Sequence, residues 1–414
     1  MSNGLNETMI NAQKNANGSE PTGIFLLYEG LPPTIIESQV IAHVQSMKNV
    51  GVEIEIWAFA VTSQAFASGQ AALESLRCAY PSIVIRLFRG IKPALPFSET
   101  FNAYLLMWLM WRLGTRPTFV RARTEHATMI AAIAKRLMKY RLIWDARGDT
   151  LAEFLGAVRF LPWYLKILAP LKSGAIKKRI KMAHMHSDYA IFVSEALRDL
   201  QGSSLPVDRT LILPCLADES LFYYDKVLRR DARSKLRYNT NDIVIVYVGS
   251  TAMWQCVPET VGIMEQAMIA NPDCKSLIIT PSPGEFQKLF SEKFRNRVTI
   301  TSGKLSDMNR FLNAADIGVL LRRPDAINWV ASPVKFGEYS LVGLPVITTE
   351  AIDQINTFSQ YFGNKITESQ VIDQGLNRAI SQIDRSAVAL KAMGLVGNNS
   401  YTDKIKNMYR LCLY

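Results

Sequence analysis

Short apolar runs alternate with stretches of helical periodicity along most of this chain. The first run, GIFLLYEG (23–30), precedes a helix predicted over about 37–49. VEIEIWAF (52–59), SIVIRLF (82–88), TFVRAR (118–123) and RLIWDAR (141–147) are the next strand candidates, and DYAIFVSE (188–195) and TLILP (210–214) end the series. Strands separated by helices argue for a parallel sheet covered on both faces. The pattern then restarts. DIVIVYVGS (242–250), KSLIITP (275–281), VTITSG (298–303), DIGVLLR (316–322) and PVITT (345–349) read as strands, with helices over about 258–269 and 306–315. The expectation is an α/β protein of two doubly wound, Rossmann-like domains facing a cleft. It divides into a tail (1–22), a first domain (23–205), a second domain (206–395) and a C-terminal helix (396–414).

Two spans depart from this rhythm. FNAYLLMWLMWRLG (101–114) is too short to cross a bilayer and is expected to be a buried core helix, with a patch lying on an anionic membrane as the other reading. Residues 154–183 mix aromatic and aliphatic side chains with Lys and Arg, and Pro162 and Pro170 are expected to break them into short pieces. These pieces read either as helices packed on the first domain or as a patch lying on an anionic membrane. The polar first 22 residues lack the apolar core of a signal peptide. Five widely spaced cysteines without a CxxC pair favour a reducing, cytoplasmic setting. The net charge of +11 asks for an anionic partner. No nucleic-acid-binding signature accompanies it, so phosphate ligands or anionic lipid remain.

The candidate chemistry concentrates in SPVKFGEYSLVGLPVITTE (332–350). Ser332 suits an N-cap, Pro333 the first helical position, and Gly343 with Pro345 a helix end, which predicts a helix over 333–342. Its N-terminus is a natural anion site. Lys335 in the first turn opposes the helix dipole unless an anion is bound nearby. Glu338, one turn on, lies on the same face and could accept two hydroxyl hydrogen bonds from a ribose diol; an ordinary Lys–Glu surface pair is the other reading. Gly249, Ser250 and Thr251 end one strand, and Arg322 and Arg323 end another, where each could reach a phosphate. His184 and His186 have no carboxylates around them, and no Asp-x-Asp ends a strand, so no metal is expected.

These segments, in order, resemble the retaining GT-B glycosyltransferases of family 4. VSEALRD (193–199) is similar to the segment closing that family's first domain, and LPCLADESLF (213–222) to its interdomain "PNGVDxxxF". VYVGS (246–250) resembles its "YVG" strand, FLNAADIGVLL (311–321) its "yLaaaDi" run, and 332–347 its "SPxKxxEYLAxGxPVI". The resemblance implies transfer of a sugar from a nucleoside-diphosphate sugar, UDP- or GDP-linked, to an acceptor hydroxyl, with retention and without a cofactor or metal. A glycan or lipid-linked acceptor and a role in surface polysaccharide or glycoconjugate synthesis would fit. It also implies that Glu338 holds the ribose and that Lys335 contacts the diphosphate. Ser332, Pro333 and Val334 would offer amides to the donor, and Gly303 would lie beside the base. The last helix would cross back to the first domain. Asp145, Arg147, Arg121, Arg123 and His126 are the first-domain candidates, for catalysis or for the acceptor. The chain departs from the family at Val330, where a glutamate is usual, and at Ser250 and Gln255, where Arg and Lys are usual. The glycine-rich first loop is replaced by EGLPPTIIESQ (29–39). A catalytically inactive partner or nucleotide-sugar-binding subunit is therefore the alternative.

Overall fold

The computed structural model describes residues 21–32, 36–93, 95, 97–202, 205–367 and 376–412. The expected N-terminal tail lies almost wholly outside them. Seven parallel strands form the first sheet: β1 (Thr22–Leu27), β2 (Glu53–Ala60), β3 (Ile85–Arg89), β4 (Phe119–Arg123), β5 (Arg141–Ala146), β6 (Tyr189–Phe192) and β7 (Thr210–Ile212). Six more form the second: β8 (Ile243–Val248), β9 (Cys274–Ile279), β10 (Val298–Thr301), β11 (Ile317–Leu320), β12 (Val346–Thr348) and β13 (Lys365–Ile366). The orders are β3-β2-β1-β4-β5-β6-β7 and β10-β9-β8-β11-β12-β13. Each sheet reverses direction of growth once, between β1 and β4 and between β8 and β11, the doubly wound arrangement.

Strand alternation explains the double cover. On β1, Phe25 and Leu27 pack into one apolar cluster, whereas Ile24 and Leu26 pack into another on the opposite face. On β8, Val244 and Val246 face one cluster and Ile245 and Tyr247 the other. Both faces are therefore covered, and most inward positions carry apolar side chains, with the Arg121–Asp145 pair an exception.

Three local expectations change. The helix expected over 37–49 opens with a π-helical turn, Ile36–Ile41, before its α-helical part, Ala42–Asn49. The 101–114 span is a core helix on one face only: within Ser98–Arg112, Ala103, Leu106, Leu109 and Met110 are buried, but Phe101, Tyr104, Trp108 and Trp111 face outward. Its apolar residues exceed what one buried stripe can hold, so half of them remain on the surface. Pro162 does separate Thr150–Val158 from Trp163–Lys166, but Pro170 does not break the chain. It sits in the first turn of Ala169–His186, where a missing N–H costs nothing. Among the described residues no helix is long and apolar enough to cross a membrane. All five cysteines are free.

The last helix, Thr402–Leu411, leaves the second domain and buries Ile405, Met408 and Tyr409 in the core beneath the first sheet. Tyr409 stacks on Phe119, with ring centroids 4.3 Å apart. Its hydroxyl meets Arg121 Nη1 at 2.9 Å and His43 Nε2 at 2.8 Å. Arg121 in turn pairs with Asp145 at 3.0 Å, both nearly free of solvent. The returning chain also meets the outgoing one. Ala217 N donates to the Val396 carbonyl at 2.9 Å. The Glu219 carboxylate accepts from Asn398 N at 2.6 Å and Asn399 N at 3.0 Å.

Removing one partner of a buried ion pair leaves the other charged and unpaired, which costs about 3–5 kcal/mol. Asp145→Ala should lower stability by about that amount in chemical denaturation. A loss below about 1 kcal/mol, the range of a surface pair, would show that the Arg121 network is not holding the first domain.

Candidate functional site

The predicted helix is present as Val334–Leu341. Its end is a Schellman motif: Leu344 N bonds the Tyr339 carbonyl at 2.8 Å and Gly343 N the Ser340 carbonyl at 2.9 Å. Gly343 adopts φ +70°, as that motif requires. The start differs from expectation. Pro333 is the N-cap and no side chain caps the helix. Ser332 turns away, and its Oγ accepts from Cys215 N at 2.8 Å, tying the helix entry to the interdomain segment. The first amides of the helix are thus left for a ligand or for water.

Lys335 Nζ bonds Gln255 Oε1 at 3.1 Å rather than Glu338, and lies 5.5 Å from the centre of the Tyr247 ring. Burial lowers its pKa to about 8, with the nearby Arg322 adding to the effect. Burial raises Glu338 to about 7, which Lys335 only partly offsets. The pair is therefore not a surface salt bridge but two ionisable groups held where charge is expensive. Gly249 makes room for the lysine: a Cβ there would stand 2.5 Å from Lys335 Nζ and 2.7 Å from the Tyr247 hydroxyl.

Glu338 and Val334 line a cavity of about 300 Å³. Leu305, two residues beyond Gly303, forms another part of its wall, and Asp218 and Ser220 come from the interdomain segment. The first domain closes it with Glu37, Gln45 and Tyr80. A wider depression of about 560 Å³, bordered by Ala196, Trp329 and Glu350, has only carboxylates as charged lining and does not suit a diphosphate.

The remaining second-domain candidates divide. Gly249 and Arg322 stand at the ends of β8 and β11, where the strand order reverses, and Arg322 is buried beside Lys335 and Tyr247. Arg323 points outward, bonded to Glu259 at 2.7 Å. Thr251 is engaged by Glu285. Ser250 gives its carbonyl to the Tyr247 hydroxyl at 2.8 Å. Gly303 packs on Met308 and Phe311. Val330 is buried among Trp144, Phe192 and Leu197, and its carbonyl accepts from Ser194 Oγ at 2.7 Å. It acts as an apolar plug between the domains.

In the first domain Arg121 and Asp145 are committed to each other, and Asp145 Oδ1 also lies 3.5 Å from Arg147 Nη1. Arg123 and Arg147 converge on Gln39, at the carboxyl ends of β4 and β5. His126 is buried next to Tyr28, 3.8 Å from Glu99. Burial, aided by Arg179, lowers its pKa to about 4, so it is neutral at physiological pH. Sequence reasoning assigned no role to Gln39, Tyr80 or Tyr247. Each joins the site through packing between elements far apart in the chain, and no local motif marks them.

No protein-family model matches the chain, and no curated protein matches it either. Its architecture is that of the GT-B glycosyltransferases. A glycosyltransferase from Rickettsia africae matches with a TM-score of 0.70 at 12% identity, over 95% of this chain and 99% of that one. HepE of Anabaena, solved with UDP, matches with a TM-score of 0.67 at 12% identity, over 94% and 100%. The lipopolysaccharide outer core galactosyltransferase WaaB matches with a TM-score of 0.63 at 11% identity, over 94% and 99%. At these identities the agreement defines the fold alone.

The paired shifts carry a pH signature. Glu338 gains its charge as pH rises through about 7, and Lys335 loses its charge above about 8. A ribose diol needs the carboxylate as acceptor and a diphosphate needs the ammonium. For a nucleoside diphosphate held by these two groups, affinity measured by calorimetry should climb from about pH 6, peak between about 7 and 8 and fall by about 9; a flat profile would refute the pairing. Stability runs otherwise. A raised acid pKa withdraws stability as pH climbs from 4.5 through about 7, and a lowered lysine pKa returns it between about 8 and 10.5.

Proposed function

We propose that this protein transfers a sugar from a nucleoside-diphosphate sugar, UDP- or GDP-linked, to an acceptor hydroxyl with retention of anomeric configuration. The observation that carries the reading is the uncapped helix Val334–Leu341. It presents Lys335 and Glu338 from its first turns at the end of the second sheet, beside the switch point between β8 and β11. Open sheets of this kind bind ligands there. Glu338 holds the ribose hydroxyls, and Lys335, Arg322 and the helix amides carry the charge that grows on the departing diphosphate. The bond from the anomeric carbon to the diphosphate breaks, its electron pair leaving with the phosphate. The acceptor oxygen bonds to the same face, and its proton passes to the departing phosphate oxygen. Charge neutralisation thus falls to side chains rather than to a metal. A glycan or lipid-linked acceptor, in surface polysaccharide or glycoconjugate assembly, completes the proposal.

One observation favours a second reading, a nucleotide-sugar-binding subunit without turnover: Val330 fills with hydrocarbon the position where the resembling family has a glutamate. Calorimetry with UDP-, GDP-, ADP- and TDP-sugars, followed by a turnover assay with the sugar that binds, separates the two. Glu338→Ala should weaken nucleotide-sugar binding at least about tenfold, because two hydrogen bonds to a charged group are lost. Unchanged affinity would sink the ribose assignment.

The setting proposed for this reaction is the inner face of a membrane. Phe101, Tyr104, Trp108 and Trp111 are exposed on one helix, and Trp163, Ile167 and Leu171 on the segment that packs nearby. Arg179 joins the two by bonding Glu99 at 2.6 Å. Lys166, Lys172, Lys177, Lys178 and Lys181 lie along the same segment and are all exposed. Aromatic rings beside lysines suit an anionic lipid surface. The protein should sediment with anionic liposomes at low salt and be released at high salt. Failure to sediment at low salt would remove the membrane from the proposal.

A further inference from the structure

Two arginines at the carboxyl end of the first sheet have fewer carboxylate partners among the described residues than their charge asks for. Arg123 closes β4, at the switch point of that sheet, and Arg147 follows the neighbouring β5. Their side chains are only 7% and 10% exposed. The Nη2 atoms of both lie 3.0 Å from a single atom, Gln39 Oε1. A neutral amide oxygen is a weak counterpart for two guanidiniums; an oxyanion in its place would form charge-assisted, forked hydrogen bonds.

The surrounding charges do not make up the difference. Asp145 gives one oxygen to Arg121, at 3.1 Å from Nε and 3.0 Å from Nη2, and the other stands 3.5 Å from Arg147. Glu29 reaches only Arg123 Nε, at 3.2 Å. Three guanidiniums therefore share two carboxylates. Arg123 Nη1 and Arg147 Nε are buried and have no hydrogen-bond partner among the described residues. Unpartnered buried donors weaken a fold, and surplus buried charge weakens it further. Such an arrangement leaves donors free for an anion from outside the chain.

We propose that Arg123 and Arg147 form an anion subsite of the first domain, which takes a phosphate or carboxylate group of a substrate across both guanidiniums in place of Gln39. Its position relates it to the sugar-transfer reading, on which the identity of that substrate rests. Gln39 lies on the turn Ile36–Ile41, whose Glu37 and Ile41 line the same cavity as Val334 and Glu338. The subsite thus stands on the first-domain element that closes that cavity. Lys335 and the helix amides already serve a diphosphate, so the anion belongs to the acceptor: a phosphorylated or acidic sugar, or a phosphate-linked carrier.

The test uses inorganic phosphate as the probe, titrated by calorimetry into the full-length protein, free and saturated with UDP. Wild type should take up phosphate in both states. Arg123→Gln and Arg147→Gln should each weaken uptake about tenfold or more. Arg295→Gln, on an exposed pair with Glu292, should leave it within about twofold. Gln39→Glu supplies an internal carboxylate without removing an arginine. It should abolish phosphate uptake and raise Tm, so the proposal stays testable even if an arginine variant fails to fold. Phosphate uptake that survives UDP saturation places the anion on the acceptor. Uptake blocked by UDP, with UDP affinity also lowered in the arginine variants, places it on the donor diphosphate. Absence of phosphate uptake, or equal uptake by wild type, the arginine variants and Gln39→Glu, overturns the subsite. Absence of UDP binding to wild type would instead remove the donor reading and leave the phosphate result legible by itself.

Discussion

A guanidinium sealed under a β-sheet is the constraint around which the first domain is arranged. Arg121 sits on β4 with 1% of its surface exposed. A charge so placed must be matched on every side. Asp145 from the next strand supplies the counter-charge, Phe25 a ring face 4.6 Å from the guanidinium carbon, and His43 and Tyr409 polar partners. Those partners come from β5, β1, the Ala42–Asn49 helix and the last helix of the chain. Burial and two neighbouring arginines keep His43 well below its ordinary pKa, so it stays neutral and can accept from the guanidinium. One side chain thereby fixes four distant segments, and Arg147 is positioned as the next link through Asp145.

The second domain has its own buried ion cluster, in which Asp316 meets Arg229 at 2.5 Å and Arg233 at 3.1 Å and also accepts from Val244 N. Its organising element is a helix of only eight residues. Phe336, Tyr339 and Leu341 anchor one side of it in the core, and the Tyr339 hydroxyl also receives Val248 N at 3.1 Å. The opposite side carries Lys335 and Glu338 into a poorly solvated wall. Periodicity does both jobs: residues at 336, 339 and 341 turn inward because residues at 335 and 338 turn toward the cleft. The shifted pKa values follow from the same packing that makes the helix rigid.

Most of the architecture was legible in the sequence, because strand-length apolar runs and the Gly343 helix stop are local signals. So were Lys335 and Glu338, whose spacing on one helix can be counted. What escaped was set by distance. Ser332 reads as an N-cap from its neighbours alone, but Cys215, over a hundred residues earlier, claims its hydroxyl. Trp108 and Trp111 read as core from their hydropathy, but the number of inward positions on a helix is limited by geometry. Gln39 carries no signature, since two arginines make it matter, and they follow it by 84 and 108 residues, at the ends of β4 and β5. Val330 was read as a missing carboxylate; its packing against Trp144 could not be counted from spacing.

The contact between Ala217 and Val396 has a mechanical meaning. The chain passes from one domain to the other twice, and at this contact the two passages are stitched side by side through the Ala217–Val396 bond and Glu219. Two separate tethers would let one domain slide or twist over the other. Two joined tethers act as the spine of a book. Rotation about the spine bends both passages together, whereas sliding would have to shear the bonds between them. Joined in this way, the two passages oppose sliding of one domain over the other more than rotation about the line they form.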